Sequence, residues 1–441
     1  MTRRLVWLLF LLGAGACTEE ATAPGRCPNF CPGGRAVTTD TIFTDLIERD
    51  SSYRGYLPPY AAEALAVADL PSVQSRAFFV LPHNVPPTVV TSSSDTTQVP
   101  IVVDSSQFRL TILRRDSSAT NLTLRVYALP IATDSTRTFA DLDPDFNAPP
   151  IDSVNVSALL ARPPIVDTAT ADSASRRIFG DTTRTDSAGH VLTVADSGRT
   201  LTMYFHFDTL QAPFVAVDSG QLAFGFRVSA DSFASIAVGS LQAARPPLMQ
   251  WFFHHAIRDT SGVKPDSNVY ATLLRSPQFN SFVFNPPVAP LDDNLAVGSA
   301  PSERSLIRVK LPKFLHDSID VVRATAIFVR VAPVVGAPSD SFSLRAFPVL
   351  TDFGGKSPPS AAFSAERTIH TGSTNTDTVT IELTDLVRAW AQDTTAPTAF
   401  FLAHVPEAAS FTEIRFYSSR APAFRPALHV TYVKRFPFGT P

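Results

Sequence analysis

Nine histidines are spread along the chain, and only His254 and His255 adjoin each other, next to Trp251, Phe252 and Phe253. Imidazoles bind zinc, but a site needs a third ligand, and neighbours on a strand point to opposite faces. The pair is therefore expected to pack, and no metal ligand is assigned. Clustered oxygens suit a hard cation such as Ca²⁺, and Asp141-Leu-Asp-Pro-Asp145 and Asp292-Asp293 supply them. Asp is also a turn residue that bonds its own backbone, which is the commoner cause of such runs. Carboxylates are so widespread that no pair stands out for glycoside hydrolysis, whose two groups must sit ~5–10 Å apart. The G-x-S-x-G, H-E-x-x-H, phosphate-loop and EF-hand spacings do not occur. No catalytic residue and no cofactor are expected, and the chain is read as a non-enzyme.

Sugar recognition would use an exposed aromatic face with polar groups at its rim. Trp251 and Trp390 sit in patterns that bury them, and Trp7 lies in the leader. Tyr204 and Tyr417 alternate with inward-looking residues and are the ligand-binding candidates.

The cysteines carry a different chemistry. Residues 1–16 hold Arg3 and Arg4, an apolar run from Leu5 to Leu12, and small residues up to Ala16. That is the layout of an export signal, too short to span a ~30 Å hydrocarbon core. Cys17, directly after Ala14-Gly15-Ala16, resembles the lipobox of bacterial lipoproteins, with Ala14 where that family usually has Leu. The resemblance implies that Cys17 is lipidated and becomes the mature N-terminus. Thr18, in place of the Asp that retains many lipoproteins at the inner membrane, implies the outer membrane. Each buried methylene adds ~0.8 kcal/mol, so two or three acyl chains hold firmly, and membrane lipid is an expected partner. Residues 17–37 read as a tether, in which Cys27 and Cys31 are spaced to close a small disulfide in an oxidising compartment.

A chain of 441 residues suffices for two or three domains with their own cores. Its formal net charge of −3 argues against nucleic acid as a partner, because a phosphate-tracking surface needs clustered Lys and Arg. Phe, Val and Thr favour a pleated, half-buried surface, and Pro, Asp and Ser mark turns, so composition points to an all-β protein.

Two stretches repeat one pattern. Ser72 to Pro82 parallels Ser302 to Pro312, Leu122 to Pro130 parallels Phe342 to Pro348, and Leu222 to Val228 parallels Ala399 to Val405. Arg245-Pro then parallels Arg425-Pro. Period-two alternation in the Leu122 and Phe342 runs puts one face in a core and the other in solvent. The spacing predicts two tandem jelly-roll-like β-sandwiches at 38–257 and 291–436, joined by a linker at 258–290. An insertion at about 152–197 in the first copy reads as a long hairpin or loop. Leu383, Leu386, Val387 and Trp390 recur at helical spacing in the second copy, with Thr384 placed as its N-cap.

The second copy resembles the DNRLRE-type domain, a jelly-roll module of secreted bacterial proteins related to carbohydrate-binding modules. Asn294-Leu-Ala-Val-Gly298, Arg304 to Pro312, Leu383 to Trp390, Phe416 to Arg420 and Arg425 to Tyr432 carry the resemblance. It implies a non-catalytic envelope module that binds polysaccharide. A structural or adhesion lipoprotein contacting envelope proteins is the alternative.

Overall fold

A computed structural model describes residues 38–434, apart from 84, 93–94, 166–180, 196–197, 199, 208–219, 258–266, 287–290, 337–340 and 371–377. The leader, Cys17, the tether and the Cys27–Cys31 pair therefore lie outside the described residues. Strand accounts for 54% of the structure and helix for 10%, so the all-β expectation holds. No helix among the described residues is long and apolar enough to cross a membrane.

The first part of the chain forms β1 (Thr38–Phe43), β2 (Ile47–Arg54), β3 (Ala64–Asp69), β4 (Gln74–His83), β5 (Thr88–Ser92), β6 (Asp95–Arg115) and β7 (Thr123–Leu129). There follow β8 (Asp152–Asn155), β9 (Thr182–Thr185), β10 (Val191–Val194), β11 (Leu201–Phe207), β12 (Gly220–Ser229), β13 (Ala234–Gly239), β14 (Leu248–Ile257), β15 (Ser267–Arg275) and β16 (Phe279–Asn285). The remainder supplies β17 (Leu295–Gly298), β18 (Glu303–Val309), β19 (Ile319–Val329), β20 (Ser341–Pro348), β21 (Ala365–His370) and β22 (Thr378–Glu382). It ends with β23 (Ala399–His404), β24 (Glu413–Phe416) and β25 (Ala427–Lys434).

These strands build two sandwiches on one plan. In the first, β15-β14-β6-β11-β10-β9 faces β8-β7-β12-β4-β16, and the β3–β13 pair joins the layers through the end of β6. In the second, β1-β25-β19-β22 faces β21-β20-β23-β18-β2, with β17–β24 in the place of β3–β13. Alternation explains why these residues form strands. In β20 every second side chain, Phe342, Leu344, Ala346 and Pro348, is buried. β23 is buried throughout because it lies mid-sheet with both faces covered. The first core is aromatic, built on Phe79, Phe108, Phe205, Phe224, Phe226 and Trp251. The second is more aliphatic, with Phe328, Phe342, Phe400 and Phe416 among Leu, Ile and Val.

The boundaries differ from those the repeat suggested. Residues 38–54 were expected in the first sandwich, yet β1 pairs with β25 and β2 with β18, so they complete the second. Much of the expected linker 258–290 is strand, for β15 pairs with β14 and β16 with β4 in the first sandwich. Sequence similarity locates the repeated strands but not the partner that each flanking strand finds. The 152–197 insertion is partly woven in: β8 extends one layer beside β7, and the β9–β10 hairpin extends the other beside β11.

The helix Thr384–Gln392 forms as its spacing predicts and buries Leu386, Val387 and Trp390. Its N-cap is Leu383, one residue before the expected Thr384. The Thr384 hydroxyl instead accepts from the Ala324 N–H at 2.8 Å, tying the helix to β19. Phe139–Phe146, not foreseen, starts on a reciprocal capping box between Thr138 and Asp141.

Candidate functional site

The side chains singled out from sequence do not converge. Tyr204 lies half-buried on β11, opposite Val191 and Arg109 in the first sandwich. Tyr417 follows β24 in the second, half-buried, with its ring 5.4 Å from that of Phe424. They form no common platform. His254 Nδ1 is 2.8 Å from Asp104 Oδ1 and its ring lies 5.6 Å from Tyr270, whereas His255 is buried on the opposite side of the strand. No cluster of three potential metal ligands occurs among the described residues. Asp141 is spent on its helix cap, and Asp292 bonds Asn294 and Arg415. Trp251 and Trp390 are buried, as the pattern predicts.

A different group of residues does converge. Segment 55–63, which leads from β2 on the second sandwich to β3 on the first, lies over the outer side of β18 and β23. Tyr56 packs edge-on against Phe401 at 5.8 Å, in a small apolar cluster with Tyr53, Leu306, Phe347 and Val349. Beside it opens a cleft of 410 Å³, walled by Leu57, Ala61, Phe347 and Phe401 and carrying Glu63, Arg304, His404 and Glu407. That volume lies in the range of small-molecule sites. A second hollow of 540 Å³, at the β3–β4 turn, has no buried titratable side chain in its lining.

The polar groups of the cleft are fixed by their neighbours. Arg304, on β18, donates to both Glu407 oxygens at 2.7 and 2.8 Å, a planar fork that holds both side chains rigid. The guanidinium also sits 4.4 Å from the centre of the Tyr56 ring, a cation–π geometry. Burial pushes the Tyr56 hydroxyl up to about 12, with the Arg304 charge opposing. That hydroxyl has no hydrogen-bond partner among the described residues.

His404 ends β23 and is 2% exposed. Its ring meets Phe342 edge-on at 4.4 Å. Nδ1 is 2.8 Å from the Pro406 carbonyl oxygen. A carbonyl only accepts, so Nδ1 carries the proton of a neutral ring and Nε2 keeps a lone pair. Burial drives the imidazole down to about 4, and the Pro406 carbonyl only partly offsets it. Nε2 is a buried acceptor with no donor among the described residues. Such an atom costs about 1–3 kcal/mol when left unmade, so it favours a hydroxyl or N–H brought by a ligand or water.

Sequence reading missed this group because Arg304 and His404 looked like alternating members of repeated strands. The available signal was His404-Val405-Pro406: the imidazole stands where the first copy has Arg227, and Pro406 stops a strand that the first copy continues to Ser229.

No protein-family model matches the chain, and no curated protein matches it.

Proposed function

We propose that the protein is a non-catalytic binding module, held at the bacterial envelope through a lipidated Cys17, that takes a polysaccharide segment in the cleft beside Arg304 and His404. One observation carries the ligand reading. Apolar walls at Phe347 and Phe401 stand beside a fixed Arg304–Glu407 pair and an unpartnered His404 acceptor. Aliphatic C–H faces and hydroxyl groups are what a sugar offers to walls and polar atoms of this kind. The resemblance of the motifs between Asn294 and Tyr432 to secreted carbohydrate-binding modules points the same way.

The test is a glycan array probed with the full-length chain, with and without Ca²⁺. Binding to a neutral or acidic glycan is expected, weakened about tenfold by either Arg304→Ala or His404→Phe. Tyr204→Ala and Tyr417→Ala test the two sheet-surface tyrosines separately. A folded wild-type protein that binds nothing on the array would overturn the reading. The anchor is checked by metabolic labelling with palmitate, which Cys17→Ser is expected to abolish.

A protein-contact reading is favoured by one feature. Among the described residues β15 pairs with β14 alone, and its Tyr270 and Leu274 are 73% and 49% exposed on that sheet edge. Such an edge can accept a partner strand.

A further inference from the structure

The strand pairs β1–β2 and β15–β16 occupy matching places. Each lends one strand to each layer of its sandwich: β1 beside β25 and β2 beside β18, β15 beside β14 and β16 beside β4. Three residues join the strands in each pair, 44–46 and 276–278. Nine residues, 55–63 and 286–294, then lead to the next strand, β3 or β17. Each pair thus precedes one set of core strands in sequence and completes the other set in space. The chain has exchanged equivalent strands between its own halves.

Reach does not dictate this choice. The ends of β3 and β16 both lie at Gln74 of β4, so a strand in the β16 place ends about one β3 length from the start of β3. That is roughly 17 Å for a strand of this length, and a nine-residue connection can cover ~30 Å. β1–β2 could therefore close the first sandwich as well.

Side chains dictate it. Ser75 and Ser305 mark equivalent positions, since each donates at 2.8 Å to a backbone carbonyl of the preceding strand, of Ala66 and Ala296. On that alignment Ile307 matches Ala77 and Glu303 matches Val73. Opposite Ile307 stands Asp50 of β2, fully buried, accepting from the Ser419 N–H at 2.6 Å and from Arg420 at 3.0 Å. Opposite Ala77 stands Phe282 of β16, which packs 6.0 Å from Phe411 and belongs to the first core. Arg54 pairs with the buried Glu303, and the matching Val73 offers no charge. Exchanging the pairs would bury Asp50 without its donors.

The pair is also lightly held by apolar contact. No side chain of β1 is buried, and Asp50 is the only buried residue of β2. Phe43 and Ile47 pack only at the edge of the second core, Leu46 of the connecting turn is the pair's one buried apolar residue, and Tyr53 joins the Phe401 cluster. The rest of the attachment is backbone ladder and polar pairs, and every one of these contacts can be made equally by strands from another molecule. We propose that β1–β2 is a detachable donor pair, and that a second copy of this chain can supply it to the second sandwich in reciprocal exchange. The chain's own pair has the advantage of a short tether, equivalent to a local concentration in the millimolar range, so exchange competes when copies fold together at high concentration.

Two measurements decide the matter. Arg54→Glu and Glu303→Arg each place like charges together within one chain, whereas reciprocal exchange between the two variants places opposite charges at both sites. Refolded together, the two are expected to give a heterodimer more stable than either variant alone. A mixture that behaves as the sum of its parts, without heterodimer, would overturn the proposal. The second measurement does not depend on those variants folding. In a chain with Cys17, Cys27 and Cys31 replaced by Ser, Asp40→Cys and Thr431→Cys sit at partnered positions of β1 and β25. One cysteine is placed on each of two differently tagged copies, which are refolded together. A mixed disulfide is expected to rise with protein concentration. Its absence at every concentration, while the doubly substituted chain closes internally, would exclude exchange. Failure of that internal bond would remove β1 from β25 and end the proposal as well.

Discussion

The two sandwiches share a strand plan and differ in what closes them. The first closes on rings: Phe79 meets Phe226 edge-on at 5.5 Å, Phe207 stacks on Phe224 at 5.9 Å, and Phe282 and Phe284 bring β16 onto Phe411. The second closes on charge: Asp50 with Arg420, Arg54 with Glu303, and a neutral His404 sealed against Phe342. Apolar burial is tolerant of partner and insensitive to pH. Buried polar groups demand particular partners and lose their value when protonation changes. The half with polar closure is therefore the half that chooses its strands, and it also contains the candidate cleft.

Removing each closure in turn is the strongest challenge to that contrast. Phe282→Ala leaves a cavity in a packed ring cluster, and such truncations cost roughly 3–5 kcal/mol. Hydrogen exchange is expected to rise across 64–285, with 295–434 less affected. Asp50→Ala strands the Ser419 N–H and removes the carboxylate partner of Arg420, which keeps its bonds to the Asp50 and Asp293 carbonyls, a loss of about 3 kcal/mol after allowing for the half-exposed guanidinium. Here exchange should rise in 38–54 and 295–434 first. Equal loosening of both halves by either variant would show one cooperative unit and erase the distinction.

Much of this plan was legible in the sequence. The internal repeat located β4 with β18 and β12 with β23, while period-two alternation located β7 and β20 and helical spacing the Trp390 helix, because one-faced burial imposes a period that local reading detects. The repeat pointed to two similar sandwiches. It could not assign β1–β2 or β15–β16, since pairing depends on whether Asp50 meets Arg420 or Phe282 meets Phe411, contacts separated by hundreds of residues. The cleft was hidden for the same reason. Tyr56, Arg304 and Glu407 are unremarkable apart: the β18–β23 pairing sets Arg304 beside Glu407, and the crossing of 55–63 adds Tyr56.

Acid provides a finer test of polar closure. His404 is held down at about 4 in the folded chain, whereas an exposed imidazole titrates near 6.5. Protons therefore favour the unfolded form: the stabilisation is complete above about pH 6.5 and is lost as pH falls toward 4. The expected loss between about pH 7 and pH 5 is roughly 2 kcal/mol, seen as a falling denaturation midpoint. His404→Phe should remove most of this slope from the second sandwich. An unchanged slope in that variant would show that His404 does not govern acid sensitivity.

The first sandwich has polar fastenings as well, and the one at His190 titrates in the opposite direction. His190 bridges two carboxylates, with Nε2 2.8 Å from Asp152 and Nδ1 2.7 Å from Asp186, joining the β9–β10 turn to β8. Burial alone would lower this imidazole, but hydrogen bonds and charge from both Asp outweigh it and hold it above its ordinary value. A raised imidazole stabilises fully below the unfolded value near 6.5 and loses that contribution as pH rises through its folded value. Mild alkali should therefore loosen the turn while leaving the Phe core and the global midpoint nearly unchanged. Amide exchange at 186–191, referenced to a pH-corrected unfolded control, is the suitable readout, because this fastening spans only an insertion. Asp186→Asn should loosen the same turn already at neutral pH and flatten its alkaline response. A global fall in stability on raising pH would mean that the aromatic half depends on the His190 clasp as strongly as the second sandwich depends on Asp50.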